Sequence, residues 1–458
     1  MNWRWPLALT VLTLFALVLR VYYVRTAVVD HPIRGDAVQY YNYAWNLTHH
    51  QVFAKDAPDA AIATPDNYRD PGYPLFLSLL MQLMGSAESW YAAVLLCQAM
   101  LGALTVALAT QLGRYWLSEH WAIGAGLLMA IWPHSITIDG YVLSETLFGF
   151  LCALGMIVSA RACRRDSPGW ALSAGLIFGA AALTNAILLP FGTFLAGFLA
   201  WRKLAVRKIC VAMAAGALLL PGAWAIRNTQ LSSTAVASSS YDRALQNLVQ
   251  GTWPNYHSAW RDSITGDAAT KASAQVTLHT IDLEYSALQA SPTQGAKMML
   301  KRLGEHPWRY AIWYLFEKPY ALWGWDIQIG QGDIYVYPTT KSPLQVNPVW
   351  IALAAICHAL NPLLFLLMLA SLYFARTKQP LLDRCDKQGS RAATVGVICL
   401  LAFATLVYAV LQAEPRYSIV FRPFEMLLAI TTMAALIRWW QERRRAMNQP
   451  ASTPVSRS

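Results

Sequence analysis

Long apolar runs, separated by short polar connections, recur along nearly the whole chain. A transmembrane helix needs roughly 20 consecutive apolar residues, and ten runs approach or reach that length. Two further apolar stretches, 72–85 and 307–325, are too short or too charged to span a bilayer, and we interpret them as re-entrant or interfacial helices. The pattern predicts an all-α polytopic membrane protein, a bundle of about ten or more helices. The predicted spans are centred on 5–24, 90–113, 120–133, 142–160, 169–184, 187–201, 207–226, 348–375, 392–412 and 417–439.

Two of the polar connections are long, and the second shows helical patterning around 272–290 and 294–304. Loops of this length are usually functional or have their own structure. They divide the chain into four regions. These are an N-terminal transmembrane module, 1–226, which includes a first loop, 25–71; a large loop region, 227–347; C-terminal transmembrane helices, 348–440; and a basic tail, 441–458.

Charge then gives the bundle a predicted orientation. Only 13% of the residues are charged and 56% are hydrophobic, yet the net charge is +11. If the N-terminus is cytoplasmic, the cytoplasmic connections hold 19 of the 36 basic residues and five of the 25 acidic ones, as the positive-inside rule requires. The basic excess therefore indicates topology rather than nucleic-acid binding. We predict a plasma-membrane protein, in a bacterial inner membrane, with both termini cytoplasmic and both long loops outside.

Acidic residues at the predicted outer ends of the spans need an explanation, because charge at membrane depth is costly and usually functional. Asp36 and Asp70 each lie where a helix is expected to begin, so helix capping is an alternative for both. Glu145 opens a long apolar helix, where a neighbouring helix could satisfy it. Arg20, within the first span, could simply pair with one of the acids.

Arginines gather at the same predicted face. Arg227, Arg416 and Arg422 lie at or near span ends, where snorkelling to the interface is the alternative, whereas Arg69 has no capping role. Paired guanidinium donors recognise phosphate, and a carboxylate accepts a proton from an attacking hydroxyl. Together these residues favour chemistry on a phosphate-bearing lipid. The chain has no Walker loop and no zinc-protease motif, and its seven cysteines are interpreted as packing residues.

Several motifs, taken in chain order, resemble those of the GT-C glycosyltransferases. The nearest branch is family 39, which contains the protein O-mannosyltransferases and the lipid A aminoarabinose transferase. The likeness is most specific in the first loop and continues through most of the chain. It rests on Arg34-Gly35-Asp36-Ala37, Tyr40-Tyr41-Asn42-Tyr43, Tyr68-Arg69-Asp70-Pro71-Gly72-Tyr73-Pro74, Leu143-Ser144-Glu145-Thr146, Trp224-Ala225-Ile226-Arg227-Asn228 and Arg416-Tyr417.

The resemblance implies transfer of a sugar from a polyprenyl-phosphate carrier to an acceptor on the extracytoplasmic side, with inversion. It implies that Asp36 is the general base and that Glu145 is a second catalytic acidic residue. The family often has a second proline where Asp70 stands, so the role of Asp70 is left open. The predicted substrate-binding residues are Arg69, Asp70, Tyr40, Tyr73, Arg227, Arg416 and Tyr417.

Several alternatives remain open at this point. A divalent cation held by the oxygens of Asp36 and Glu145 is neither required nor excluded. The acceptor could be a glycolipid, an envelope glycan or a protein, with selectivity in the large loop region. The rival functions are a transporter or flippase for a lipid-linked sugar and a non-catalytic binder of such a lipid. Transporters usually place their charges near the midplane, often in repeated halves, and no repeat is visible in this sequence.

Overall fold

Helices form almost all of the regular structure in the computed structural model, which describes residues 4–231, 239–327, 337–376 and 388–448. The predicted all-α architecture is confirmed. The helices are α1 (Arg4–Thr26), α2 (Asp36–His49), α3 (Gly72–Met84), α4 (Ala87–Gly113), α5 (Glu119–Ile131), α6 (Pro133–Thr137), α7 (Glu145–Arg165), α8 (Pro168–Thr184), α9 (Phe191–Trp201), α10 (Arg207–Asn228), α11 (Ser240–Gly251), α12 (Tyr256–Thr265), α13 (Ala268–Ala290), α14 (Pro292–Glu305), α15 (Pro307–Ile312), α16 (Lys318–Trp323), α17 (Pro343–Val346), α18 (Pro348–Arg376), α19 (Gln388–Val410), α20 (Pro415–Ser418) and α21 (Arg422–Asn448).

Seven of the described helices are long and apolar enough to cross a membrane: α1, α4, α7, α10, α18, α19 and the continuous stretch of α20 and α21. An eighth span is formed if α5 and the short turns after it are counted together, although they are bent by 61° at Trp132. The remaining predicted spans, 169–184 and 187–201, coincide with the shorter apolar helices α8 and α9. Every predicted span thus corresponds to a helix, although three of them are short or bent.

Small residues bring the helices of the bundle close together. A Cβ atom on Gly175 of α8 would lie 2.1 Å from the carbonyl oxygen of Met213 in α10, and one on Gly216 would lie 2.4 Å from the carbonyl oxygen of Leu172. Such close backbone approach is how membrane helices associate, since lipid offers no hydrophobic drive between them. A larger residue at either glycine would push α8 and α10 apart.

The large loop region folds into its own helical layer. The helices predicted at 272–290 and 294–304 are confirmed as α13 and α14. A small apolar core of Val249, Ile281, Leu288 and Met299 joins them to α11. Beside that core, the guanidinium of Arg302 donates to both carboxylate oxygens of Glu284, at 2.7 and 3.0 Å, and lies over the ring of Trp253.

The large loop region is attached to the bundle on two sides of the predicted site. On one side, the amide of Ser240 donates to the carbonyl of Asn67 in the first loop. On the other, Gly251 at the end of α11 packs directly against Leu411, where an added Cβ would lie 2.3 Å from the carbonyl oxygen. A two-stranded antiparallel pair, β1 (Val28–Val29) with β2 (Thr339–Lys341), joins the end of α1 to the far end of the large loop region.

The sequence also predicts a basic C-terminal tail and cysteines that serve as packing residues. Helix α21 continues into the predicted basic tail as far as Asn448, and residues 449–458 lie outside the described part of the chain. The six cysteines that the structure describes are all free, and five of them are buried, as expected of packing residues. The seventh, Cys385, lies outside the described residues.

Candidate active site

Asp36 lies at the centre of a charged cluster, at the first residue of α2. Its Oδ1 accepts from Nη2 of Arg69 at 2.6 Å, and its Oδ2 accepts from Nη2 of Arg416 at 3.1 Å. The carboxylate remains 34% exposed. The capping alternative is wrong for this residue, because Gly35 occupies the N-cap position and the side chain of Asp36 is turned to the two arginines.

Gly35 makes this placement of Asp36 possible. Its φ of +56° lies in the left-handed region that L side chains avoid. An added Cβ would also lie 3.4 Å from the hydroxyl of Tyr337, which comes from the end of the large loop region. The hydroxyl of Tyr337 is at ordinary contact distance, so it is the unusual backbone conformation at the turn into α2 that favours glycine here.

Arg416 joins Asp36 to the second predicted acidic residue. Its Nε donates to Oε1 of Glu145 at 2.5 Å while Nη2 holds Asp36. Glu145 is the first residue of α7 and is buried, so the alternative in which a neighbouring element satisfies it is correct as to geometry. Snorkelling is wrong for Arg416, since its side chain is only 15% exposed. The result is a chain of alternating charges, Glu145, Arg416, Asp36 and Arg69.

Arg69 is fixed from several directions. Its Nε donates to Oε1 of Gln39 at 2.5 Å, and its guanidinium lies 5.0 Å from the ring centre of Tyr40. Gln39 was not singled out from the sequence, although it lies one turn after Asp36 on the same helix face, where the two side chains are neighbours. Cation–π contact and two hydrogen bonds leave this arginine little freedom.

The two arginines set the protonation state of Asp36. Burial favours the neutral acid, but the positive charges of Arg69 and then Arg416 outweigh it, and they lower the pKa of Asp36 well below its usual range. Asp36 is therefore a carboxylate that accepts hydrogen bonds and cannot donate them.

The predicted tyrosines have different positions. Tyr40 lies within the cluster, where its hydroxyl donates to Oγ of Ser144 at 3.3 Å and burial raises its pKa. Tyr73 is fully buried beneath it and donates to Oε1 of Gln98 at 2.7 Å. Tyr417 lies on the other side, where its hydroxyl donates to Gln412. Only Tyr40 touches the charged chain directly in these contacts.

Asp70 and Arg227 have partners outside the charged cluster, and these partners differ for the two residues. Oδ2 of Asp70 accepts from Nη2 of Arg243 at 2.8 Å and from the amide of Ala186 at 3.2 Å. Capping is wrong here also, because Pro71 is the N-cap of α3. Arg227 donates to the carbonyl of Asp66 at 2.7 Å and lies over the ring of Trp224. The structure thus brings Asp36, Arg69, Glu145, Arg416 and Tyr40 together, and it gives Asp70 and Arg227 other partners.

Two further ion pairs lie inside the bundle. Arg20 and Asp139 are 3.0 Å apart, with each side chain 1% exposed, so the predicted pairing of Arg20 is confirmed. Arg422 pairs with Glu425 at 2.9 Å and is equally buried, so snorkelling is wrong for Arg422. A Cβ on Gly102 would lie 2.3 Å from Oδ2 of Asp139, which shows how closely α4 approaches the first pair.

The residues present do not suit a divalent cation between Asp36 and Glu145. Both carboxylates hold the guanidinium of Arg416, which occupies the position that a bridging metal ion would need. Among the residues that the structure describes, no group of three or more His, Cys, Asp and Glu side chains could hold a metal ion.

Comparison with known proteins adds a family signal within the N-terminal half. Residues 65–224 match the family model of the dolichyl-phosphate-mannose-protein mannosyltransferases. No curated protein matches the sequence significantly.

Solved structures give the likeness over the whole chain. The oligosaccharyltransferase AglB from Archaeoglobus fulgidus, in complex with an inhibitory peptide and a dolichol-phosphate, superimposes with a TM-score of 0.51 at 14% identity. That match covers 99% of this chain and 52% of AglB, so the chain spans about half the length of the oligosaccharyltransferase. The apo form of the same enzyme gives 0.52 at 14% identity, over 98% and 52% of the two chains.

ArnT from Cupriavidus metallidurans, bound to undecaprenyl phosphate, is 14% identical over 99% of this chain and 82% of ArnT. Its TM-score is 0.37, which supports no further conclusion. The likeness to AglB establishes the fold, and the predicted resemblance is confirmed at that level. The chain is therefore a multi-pass membrane protein of the GT-C glycosyltransferase fold, with a segment, residues 65–224, that matches the dolichyl-phosphate-mannose-protein mannosyltransferase family.

Proposed function

We propose that this protein transfers a sugar from a polyprenyl-phosphate carrier to an acceptor, with Asp36 as general base and with inversion at the sugar. The observation that carries the proposal is the position of Asp36, a partly exposed carboxylate shared by two arginines. The family match and the fold support the same class of reaction. AglB was solved with a dolichol-phosphate, which supports a lipid phosphate as the carrier of the donor sugar.

The reaction breaks the bond between the sugar C1 and the phosphate oxygen of the carrier. The acceptor oxygen forms the new bond to C1 from the opposite face, and its proton passes to Asp36. The carrier leaves as a phosphate monoester, which gains one negative charge as the bond breaks. That leaving group needs positive charge around it and does not require a proton donor.

Arg69 and Arg416 are placed to supply that charge. In the structure they are bound to Asp36, which keeps the carboxylate ionised but also makes it a weak base. A donor phosphate that attracts these guanidinium groups weakens their hold on Asp36, so its basicity rises as the donor binds. When Asp36 takes up the proton it becomes neutral, and both arginines are then available for the doubly charged leaving phosphate.

Glu145 and Tyr40 hold this arrangement in place. Glu145 accepts from Nε of Arg416, which fixes the direction of the two Nη groups. Tyr40 lies beneath Arg69 and is tied to Ser144 at the start of α7. Both residues therefore orient the arginines, and the second acidic residue acts in this proposal through Arg416.

Asp70, Arg227 and Tyr417 contribute at the edges of the site in this proposal, and the buried ring of Tyr73 supports Tyr40 from beneath. The first two attach the first loop to α10 and α11, and Tyr417 lies beside Gln412, next to the large loop region. The acceptor, whether glycolipid, envelope glycan or protein, approaches across that region. The active site faces the outside of the cell membrane in this orientation, and the positive-inside distribution of charge supports it.

The test is mass spectrometry of envelope glycolipids and glycoproteins from cells with and without the protein. Wild-type protein restores a product that carries one additional sugar, and Asp36→Asn at equal abundance in the membrane does not. If Asp36→Asn restores the product as well as wild type does, the assignment of the base is wrong. If the purified protein moves a lipid-linked sugar across the bilayer of liposomes without transferring the sugar to an acceptor, the transporter alternative is correct.

A further inference from the structure

An exposed apolar face lies on the helix that follows α14 in the large loop region, formed by α15, a π turn over Trp313–Glu317, and α16. Trp308 is 82% exposed and Tyr320 76% exposed. The spacing of three or four residues places these side chains on one side of the helix, while Trp313 and Lys318 are buried on the other. The face consists of Trp308, Ile312, Leu315, Phe316 and Tyr320.

This helix does not itself span a membrane. It carries an ion pair, Arg309 to Glu317 at 2.7 Å, and these side chains are 48% and 41% exposed. A half-exposed pair of this kind is costly in hydrocarbon. The segment therefore needs water on one side and an apolar environment on the other.

Contacts with the spans fix the depth of the segment. Nζ of Lys318 donates to the carbonyls of Ala409 and Leu411, at 2.7 and 2.6 Å, at the end of α19. Nε1 of Trp323 donates to Oγ1 of Thr405 in the same helix. Because α19 is one of the seven long apolar helices, its last turns mark the edge of the bilayer.

Contacts with a second span place the segment at the same depth. Nη2 of Arg422, at the start of α21, donates to the carbonyl of Gly324 at 2.6 Å. Residues 318–324 thus rest against the ends of two spans on the side where Arg416 and Asp36 lie. The helix that leads into them is held at the boundary between lipid and water.

We propose that the face formed by Trp308, Ile312, Leu315, Phe316 and Tyr320 lies in the lipid headgroup layer, with the phospholipid surface of the surrounding membrane as its partner. Tryptophan and tyrosine are enriched at this depth because each has an apolar ring with a polar tip. A helix with one apolar face and one charged or polar face lies in the plane of the interface. Arg309 and Glu317 then remain on the water side.

The interaction has a structural consequence for the site, although it does not depend on the proposed reaction. Lys318 holds Leu411, and the chain runs from there through Gln412 and Glu414 to Arg416. Anchoring this helix in the headgroup layer fixes the turn that carries Arg416 relative to the membrane surface. A lipid substrate would then meet the arginine at a constant depth.

Fluorescence quenching in lipid nanodiscs tests the proposal with the full-length protein. An azide-bearing amino acid at Phe316, labelled with a polarity-sensitive dye, is compared in membranes with nitroxide groups on the headgroup, the upper acyl chain or the middle of the chain. A second label position, Trp308, covers the case in which one substitution misfolds. Val276 on α13, which is 69% exposed, is the matched control.

Quenching by headgroup and upper-chain nitroxides is expected to be several-fold stronger at 316 and 308 than at 276, and weaker for the mid-chain nitroxide. Equal quenching at all three positions would overturn the proposal and indicate a soluble partner or a second copy of the chain. Maximal quenching by the mid-chain nitroxide would also overturn it, since that result indicates insertion into the hydrocarbon. The measurement needs no turnover, so its outcome is separate from that of the proposed function.

Discussion

Two carboxylate–arginine arrangements in this molecule use the same chemistry in different surroundings. Arg20 and Asp139 form a one-to-one pair inside the bundle, each 1% exposed. Asp36 is 34% exposed and is shared by Arg69 and Arg416, two arginines for one carboxylate. The first pair is almost completely buried, and α4 packs so closely against it that a side chain at Gly102 would collide with Asp139.

The difference teaches what separates a structural charge from a functional one. A one-to-one pair that is buried from solvent has no surplus charge to offer a ligand, and removing either partner leaves an uncompensated buried charge. A partly open carboxylate with surplus arginines can exchange partners when an anion arrives. Burial alone would therefore have pointed to the wrong group, and access together with surplus positive charge identifies the candidate site.

Breaking the buried pair gives the largest expected effect on stability. Arg20→Met leaves Asp139 buried without its partner and is expected to lower the free energy of unfolding by about 3–5 kcal/mol. Denaturation of the purified protein in mixed detergent micelles measures this. Arg20→Lys, which keeps the charge, should lose clearly less. An Arg20→Met protein as stable as wild type would show that the pair is not structural.

Breaking the open arrangement at Arg416 affects transfer more than folding. Arg416→Gln removes the donor that holds both Asp36 and Glu145, and transfer is expected to fall by about 10²–10³-fold, the usual loss for one charge-stabilising group. Arg416→Lys should recover little, because an ammonium group lacks the planar fork that reaches two carboxylates. Initial transfer rates in liposomes measure the loss. Rates within the error of wild type would remove Arg416 from the site.

The pH dependence of kcat/KM tests the role of Arg69 beside Asp36. In the wild type, the acidic limb of kcat/KM is expected below 3.8, the ordinary pKa of aspartate, because the arginines lower the pKa of Asp36. Arg69→Gln removes the larger of these two effects, so burial acts more strongly and the pKa of Asp36 rises. The acidic limb then moves to higher pH. A limb that does not move would contradict the assignment of Asp36 as the base.

Asp70 should give the smallest effect. Asp70→Asn keeps an acceptor for the amide of Ala186 but weakens the ion pair with Arg243, for a loss of about 1 kcal/mol in unfolding free energy. Transfer should change less than in the Arg416 and Arg69 variants, because the contacts of Asp70 lie outside the charged chain. A loss of transfer as large as that of Arg416→Gln would place Asp70 in the reaction.

Much of the fold could be predicted from the sequence. The length of each apolar run indicates a membrane span, and the spacing of apolar residues at three or four positions indicates a helix. The helices α13 and α14 followed from their periodicity, and the spans followed from their hydropathy. The short pairing of Val28 with Lys341 could not be predicted, since these residues are far apart in the sequence and the strands are too short to show a pattern.

Some residues of the site could likewise be predicted from the sequence, and others could not. Asp36, Arg69, Glu145 and Arg416 could be identified because charge is rare beside apolar helices and the motifs around them are specific. Arg243 and Tyr337 could not, because they lie in the large loop region, where charged and aromatic residues are common and the sequence does not indicate which of them fold back. The sequence also did not show that Asp70 and Arg227 would have partners apart from Asp36.

The most direct measurement of the central claim is the single-turnover rate of sugar transfer by Asp36→Asn, with the affinity for polyprenyl phosphate measured on the same sample. The amide keeps the size of the side chain but cannot take up the acceptor proton. Transfer is expected to fall by about 10²–10⁴-fold, the usual contribution of a general base, with carrier binding retained. A rate close to that of wild type, on protein that still binds the carrier, would contradict the account.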